Sequence, residues 1–179
     1  GSIIVATGFK TFDPRRKPQY GYGVLPNVYT ALEAERLLSP TGPTEGTPLL
    51  ADGTMPRTVG IIHCIGSRDD NSNVYCSKVC CTHSVLNAIK LKEMNPAMNV
   101  FIIYRDMRTY ALREDLYREA AVKGVLFIRY DDQKELRVAQ DGKDLQVHFT
   151  SYVLNREIEV RPDLLVLATA IVPPKVNPV

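Results

Sequence analysis

The chain of 179 residues contains four cysteines, and all of them fall within residues 64–81. Cys64 closes the apolar run VGIIHC at residues 59–64, and Cys76, Cys80 and Cys81 follow in YCSKVCC at residues 75–81. Thiolates gathered this closely suit a soft metal centre, because four of them ligate a [4Fe-4S] or [2Fe-2S] cluster or a structural zinc ion. The order C-x11-C-x3-C-C matches neither the bacterial ferredoxin run nor a zinc ribbon, since only Cys76 and Cys80 form a zinc-type knuckle. A catalytic C-x-x-C dithiol is also poorly served, because Cys76 and Cys80 enclose three residues. Spacing alone leaves an iron–sulfur cluster, a zinc ion and four buried free thiols open.

The elements that must position these thiols follow from apolar periodicity. Residues 58–65 are expected as a strand, 77–94 as a helix, 99–104 as a strand, 113–123 as a helix ended by Gly124, and 125–130 as a third strand. Apolar strands alternating with helices imply a parallel sheet with helices on its faces, the start of a Rossmann-like unit. Short alternating strands then follow at 135–139, 145–152 and 157–160, the first two joined by an Asp141-Gly142 turn, which reads as a β-meander. The fold class expected is therefore α/β, a Rossmann-like three-layer domain. Ahead of it, residues 27–38 read as a short helix with Asn27 as its N-cap, and 39–57 as a breaker-rich linker. The closing strand LLVLATA at 164–170 repeats the character of the opening IIVATG at 3–8, so the chain looks as though it begins inside a strand of a longer protein. The division expected is 1–57 as strand end, helix and linker, and 58–179 as the domain carrying the cysteines.

In a nucleotide-binding unit of this layout the turn after the first strand is glycine-rich, and the next helix aims its free N–H groups at a pyrophosphate. Here only Gly66 is kept and no G-x-G-x-x-G occurs, while Cys64 takes the strand's end and Cys76, Cys80 and Cys81 crowd the helix start. A cluster bearing four thiolates is an anion, so the same helix end suits it, and the adjacent pair Cys80-Cys81 requires the helix to begin after Cys76. Neither FAD nor NAD(P)H is expected to bind this chain alone, although Arg105 and Asp106 stand at the second strand's end, where a ribose site would be. Strand alternation sends His63 and Cys64 to opposite faces, so His63 is not expected as a ligand beside it; His83, on the helix, could hydrogen-bond a cluster sulfur, with packing the plainer role for both. Residues 65–75 carry little apolar anchorage and are expected to be mobile without metal.

Hydrophobic residues make up 45% of the chain and charged ones 23%, enough for a full core and too little charge for a disordered chain. The net charge of +2 comes from interleaved acids and bases, which indicates neither a nucleic-acid surface nor an anionic-membrane surface. No apolar run is long enough to insert in a bilayer, and clustered cysteines without a secretory signal fit a reducing cytoplasm.

Two apolar strands ending ATG and ATA around this unit resemble flavoproteins of the thioredoxin reductase type. With the cysteine run the chain resembles the A-subunits of heterodisulfide reductases and their quinone-interacting oxidoreductase relatives. The resemblance is carried by IIVATGF at 3–9, VYTALE at 28–33, RLLSPTGPT at 36–44, CIGSRD at 64–69 and YCSKVCC at 75–81. It implies that Cys64, Cys76, Cys80 and Cys81 ligate a [4Fe-4S] cluster that passes electrons between FAD and other iron–sulfur centres. It implies as partners the remainder of the same flavoprotein and other oxidoreductase subunits, with Ala6, Thr7 and Gly8 as one edge of the FAD site.

Overall fold

The computed structural model describes residues 4, 6 and 8–174. The chain opens with a short strand β1 (Lys10–Thr11), passes single 3-10 turns at Pro14–Arg16 and Pro18–Tyr20, and reaches β2 (Val28–Thr30) and α1 (Ala31–Leu37). Then come β3 (Thr58–Ile65), α2 (Cys80–Met94), β4 (Asn99–Tyr104), α3 (Glu114–Val122) and β5 (Leu126–Arg129). The remainder is β6 (Arg137–Asp141), β7 (Asp144–Thr150), β8 (Glu157–Val160), β9 (Leu164–Thr169) and β10 (Ile171–Val172).

Five strands form a parallel sheet in the order β2-β9-β3-β4-β5. Its residues alternate between two cores. Val59, Ile61, Val100, Ile102, Leu164 and Val166 point to a layer shared with α1, α2 and α3, while Ile62, Phe101, Ile103, Leu165 and Leu167 point to the other face. That second face is covered by the antiparallel sheet β6-β7-β8 through Leu145, Val147 and Phe149, and by Phe12. The three-layer α/β expectation holds, with one correction: the helices share a single face, because successive crossovers of one hand from β3 to β4 to β5 run in one direction and fall on one side. The meander takes the place of the helices expected on the other.

The N-terminal helix begins later than expected. Asn27 has φ +62 and precedes a strand, and the cap is Thr30, whose hydroxyl accepts the Glu33 N–H while Glu33 Oε2 accepts the Thr30 N–H at 2.7 Å. This reciprocal box satisfies two donors that the helix would otherwise leave free. Thr30→Ala is expected to cost about 1 kcal/mol, read as a lower urea midpoint with unchanged slope, and Thr30→Ser to cost almost nothing. Equal losses in both would point to packing instead.

At the sheet's amino end, Asp163 Oδ2 accepts the N–H groups of Arg57 and Thr58 at 2.7 and 2.8 Å, which clamps the entry of β3 to the entry of β9. Strand β2, within residues 1–57, pairs with β9, so the sheet draws on both parts of the expected division. The opening strand expected at 3–8 falls largely outside the described residues; Ile4, Ala6 and Gly8 are exposed and in no helix or strand. Strands β1 and β10 pair with each other, Lys10 opposite Val172 and Thr11 opposite Ile171, so the first and last strands run side by side.

Candidate metal centre

The carboxyl ends of β3 and β4 and the start of α2 converge, and the cysteines are there. Strand β3 loses register with β9 between Ile62 and Ile65, and Cys64 takes a left-handed φ of +64. That conformation is costly for a residue with a Cβ, and it turns the chain out of the sheet. Alternation therefore ends at Cys64, while His63 stays buried on the helix face of Val59 and Ile61: it is 1% exposed and its Nδ1 lies 3.7 Å from Cys81 Sγ. The contact falls on Cys81, in the helix, rather than on neighbouring Cys64. His63 Nε2 has no partner, and burial pushes the imidazole down to about 4, so the ring is neutral.

Residues 66–79 form a stitched loop. Ser67 Oγ donates to Tyr75 O at 2.7 Å, Asn73 Nδ2 to Gly66 O at 2.7 Å, Arg68 N to Tyr75 O at 3.0 Å, and Lys17 pairs with Asp69 at 2.6 Å. Tyr75 OH donates to Ile171 O and Ile171 N to Ser77 Oγ, both at 2.9 Å, which ties the loop to β10. The anchors of this loop are polar, which hydrophobic patterning does not reveal. Lys78, at φ +62, stops the helix from beginning at Ser77, so α2 starts at Cys80 and Cys76 lies in the loop.

Helix α2 has Val79 at its N-cap with no side chain accepting from its first turn. Its first N–H groups and positive end therefore face the thiols. Cys76 Sγ accepts the Lys78 N–H at 3.4 Å, and Arg108 lies within electrostatic reach of the same thiol. Cys80 and Cys81 are buried, Cys64 and Cys76 half-buried. Burial pushes the Cys64 thiol up to about 11 and Cys80 up to about 12, with smaller contributions from the other cysteines; Cys81 is also raised by burial. Thus the sulfurs lie within reach of one another's charge. Arg68 and Arg105 act in the opposite direction on Cys64, and Arg68 and Arg108 on Cys81.

By type and number this donor set fits a thiolate-ligated group, and the free helix end and arginines supply the positive field that four thiolates need. Among the described residues no three His, Cys, Asp or Glu side chains are gathered closely enough to hold a single metal ion. Metal-free, the thiols of Cys64, Cys80 and Cys81 stay protonated at neutral pH. Two residues weighed for secondary roles are engaged elsewhere: His83 Nε2 lies 2.8 Å from Glu35 Oε2, in the plainer packing role expected of it, and Arg105 donates to Tyr130 OH at 3.0 Å and to Arg68 O at 2.6 Å. Of the Ala6, Thr7 and Gly8 edge, Thr7 lies outside the described residues. Sequence reasoning missed the gathering of Arg68, Arg108 and Arg129 on Asp106; its trace in the sequence is arginines at or shortly after the ends of β3, β4 and β5.

No family model matches the chain. Among curated proteins, a heterodisulfide reductase iron–sulfur A-subunit of Methanopyrus kandleri is 37% identical over 98% of the chain, and that of Methanocaldococcus jannaschii 39% identical over 99%. The chain belongs to the heterodisulfide reductase A-subunit family. It spans about a quarter of these relatives, 27% and 28% of their length. It also spans 27% of the A-subunit of a H(2):CoB-CoM heterodisulfide,ferredoxin reductase from Methanothermobacter marburgensis, to which it is 38% identical. Among solved structures, a thioredoxin reductase of T. acidophilum superposes on 93% of the chain and 43% of its own at TM-score 0.51 and 14% identity, a likeness of fold. The layers of the chain thus follow a thioredoxin-reductase-like pattern. No helix among the described residues is long and apolar enough to cross a membrane.

Proposed function

We propose that this chain is an electron-transfer module of a heterodisulfide-reductase-A-like oxidoreductase, in which Cys64, Cys76, Cys80 and Cys81 hold a [4Fe-4S] cluster. The observation that carries this reading is the placement of the four cysteines at one sheet end: Cys64 at the close of β3, Cys76 in the loop that follows, and Cys80 and Cys81 in the first turn of α2, whose start is uncapped. When bound, the cluster supplies one-electron exchange. The chain's own residues hold and bias it: Cys64 from the turned end of β3, Cys76 from the loop, and Cys80 and Cys81 from the first turn of α2. Arg68, Arg105 and Arg108 offset the thiolate charge. Zinc is served less well, because four bonds of about 2.3 Å require sulfurs around one ion-sized point, whereas four irons, each taking one thiolate, accept a wider spread. FAD, in this reading, is bound by other parts of the intact protein, and neither FAD nor NAD(P)H binds the chain alone, which keeps only Gly66 of a pyrophosphate turn. Working in the cytoplasm with other oxidoreductase subunits belongs to the same proposal, as does residues 58–179 forming the cysteine-bearing domain.

Anaerobic reconstitution with iron and sulfide tests it. About four irons per chain and a broad visible absorption are expected, with loss of both in Cys80→Ser/Cys81→Ser. Zinc uptake with no iron, or full iron retention in the double variant, would overturn the assignment.

A further inference from the structure

His63 is buried on the helix side of the sheet beside Val59 and Ile61, where an apolar side chain would pack without the cost of burying a polar ring. Its Nε2 has no partner, and the polar contact it does make among the described residues is from Nδ1 to Cys81 Sγ at 3.7 Å. A polar ring left half unsatisfied in the interior costs stability, so its presence calls for a role that the remaining contact supplies. The same sulfur directs its S–H to Asp106 O at 3.8 Å. A thiol has one proton; with that proton on the carbonyl side, the sulfur turns a lone pair to His63 and Nδ1 must carry the hydrogen. Ligation removes the S–H and leaves a thiolate able only to accept. A bare Nδ1 lone pair would repel that thiolate, whereas Nδ1–H attracts it, so the free and the ligating sulfur call for the same tautomer, with Nε2 bare.

We propose that His63 is a positioning residue for the cluster: its Nδ1–H donates to Cys81 Sγ, holds that sulfur at the start of α2 and raises the reduction potential. This rests on the cluster reading above and goes beyond it, because it sets Cys81 apart from the other three cysteines. An N–H directed at a ligand sulfur withdraws charge from it and favours the reduced state, which carries one more electron. The ring is closed off from water, so no solvent bond competes for the donor. The sulfur contact weighed for His83 from its place on the helix is made instead by His63 on β3.

Two measurements test it. In the metal-free 179-residue chain with its histidines isotopically labelled at nitrogen, long-range proton–nitrogen NMR identifies the His63 tautomer, assigned by the signals that vanish in His63→Leu. Nδ1–H is expected, the form that a free imidazole adopts less often. In the reconstituted chain, a redox titration followed by electron paramagnetic resonance reads the midpoint potential. His63→Leu is expected to keep about four irons, while its ratio of reduced to oxidised cluster at a fixed potential falls about tenfold, a downward shift of about 59 mV for a one-electron couple. His63→Asn, whose Nδ2–H takes the place of Nδ1–H, is expected to restore the wild-type potential, a rescue that a purely space-filling role would not show. His63→Phe replaces His63→Leu should that variant unfold. An Nε2–H tautomer, or equal potentials in wild type and iron-loaded His63→Leu, would overturn the inference and leave the cluster assignment intact. Failure of the wild-type chain to take up iron sinks the cluster assignment and the effect on its potential together, while the tautomer in the metal-free chain still decides whether His63 donates to Cys81.

Discussion

Gly66→Ala is expected to lose about 3 kcal/mol of folding stability, among the largest effects of any single methyl group in this chain. Two causes add at one position. Gly66 adopts φ +73, where a Cβ is strained, and that Cβ would fall far inside van der Waals contact with the ring of Phe12. Phe12 is only 2% exposed and is bedded against the meander, so it has nowhere to withdraw. Phe12→Ala alone should cost about 3–5 kcal/mol through the cavity it leaves. Urea unfolding of both single variants and the double variant decides the cause: the double should be stabler than the sum of the singles by more than about 1 kcal/mol, because removing the ring removes the clash. Strict additivity would place the whole Gly66 effect in backbone strain.

The second large effect is acid sensitivity centred on His63. Its folded-state pKa is depressed by burial from 6.5 to about 4. Below pH ~6.5 the unfolded chain takes up a proton that the folded chain refuses, so stability is intact above that pH and is lost as pH falls towards 4, by about 3 kcal/mol in all. The neutral ring takes the Cys81 contact through Nδ1 and leaves Nε2 unpaired, so no carboxylate is placed to rescue a charge. His63→Leu, measured by denaturant unfolding of the metal-free chain between pH 7 and pH 4, should flatten this part of the profile while the carboxylate-driven part remains. A profile identical to wild type would show that His63 is accessible to water in the folded state.

Strands β3, β4 and β9 were legible because each is a nearly unbroken apolar run, the mark of a strand buried on both faces. The meander was legible from alternation and from Gly142. The start of α1 was not, since the strand-favouring Val28, Tyr29 and Thr30 run without a break into the helical periodicity that follows, and the pairing with β9 marks where one gives way to the other. The neighbourhood of the thiols followed from their adjacency in sequence. Their setting did not: the left-handed turn at Cys64 gives no compositional signal, and Arg68, Asp106 and Arg129 come from three separate strand ends that only the folded sheet brings together. The pairing of residues 10–11 with 171–172 is likewise beyond any local pattern.

That pairing of β1 with β10 has a consequence for how the unit can be handled. The two backbones pass as neighbours in one ladder, about 5 Å apart, so everything between them hangs from a single seam. A host protein accepting residues 10–172 would need to open its own chain by no more than the width of a tight surface turn, and the cost of closing so long a loop is met inside the graft rather than by the host. Residues 10–172 thus enter and leave through neighbouring strands, which is the geometry an insertion into a longer chain requires.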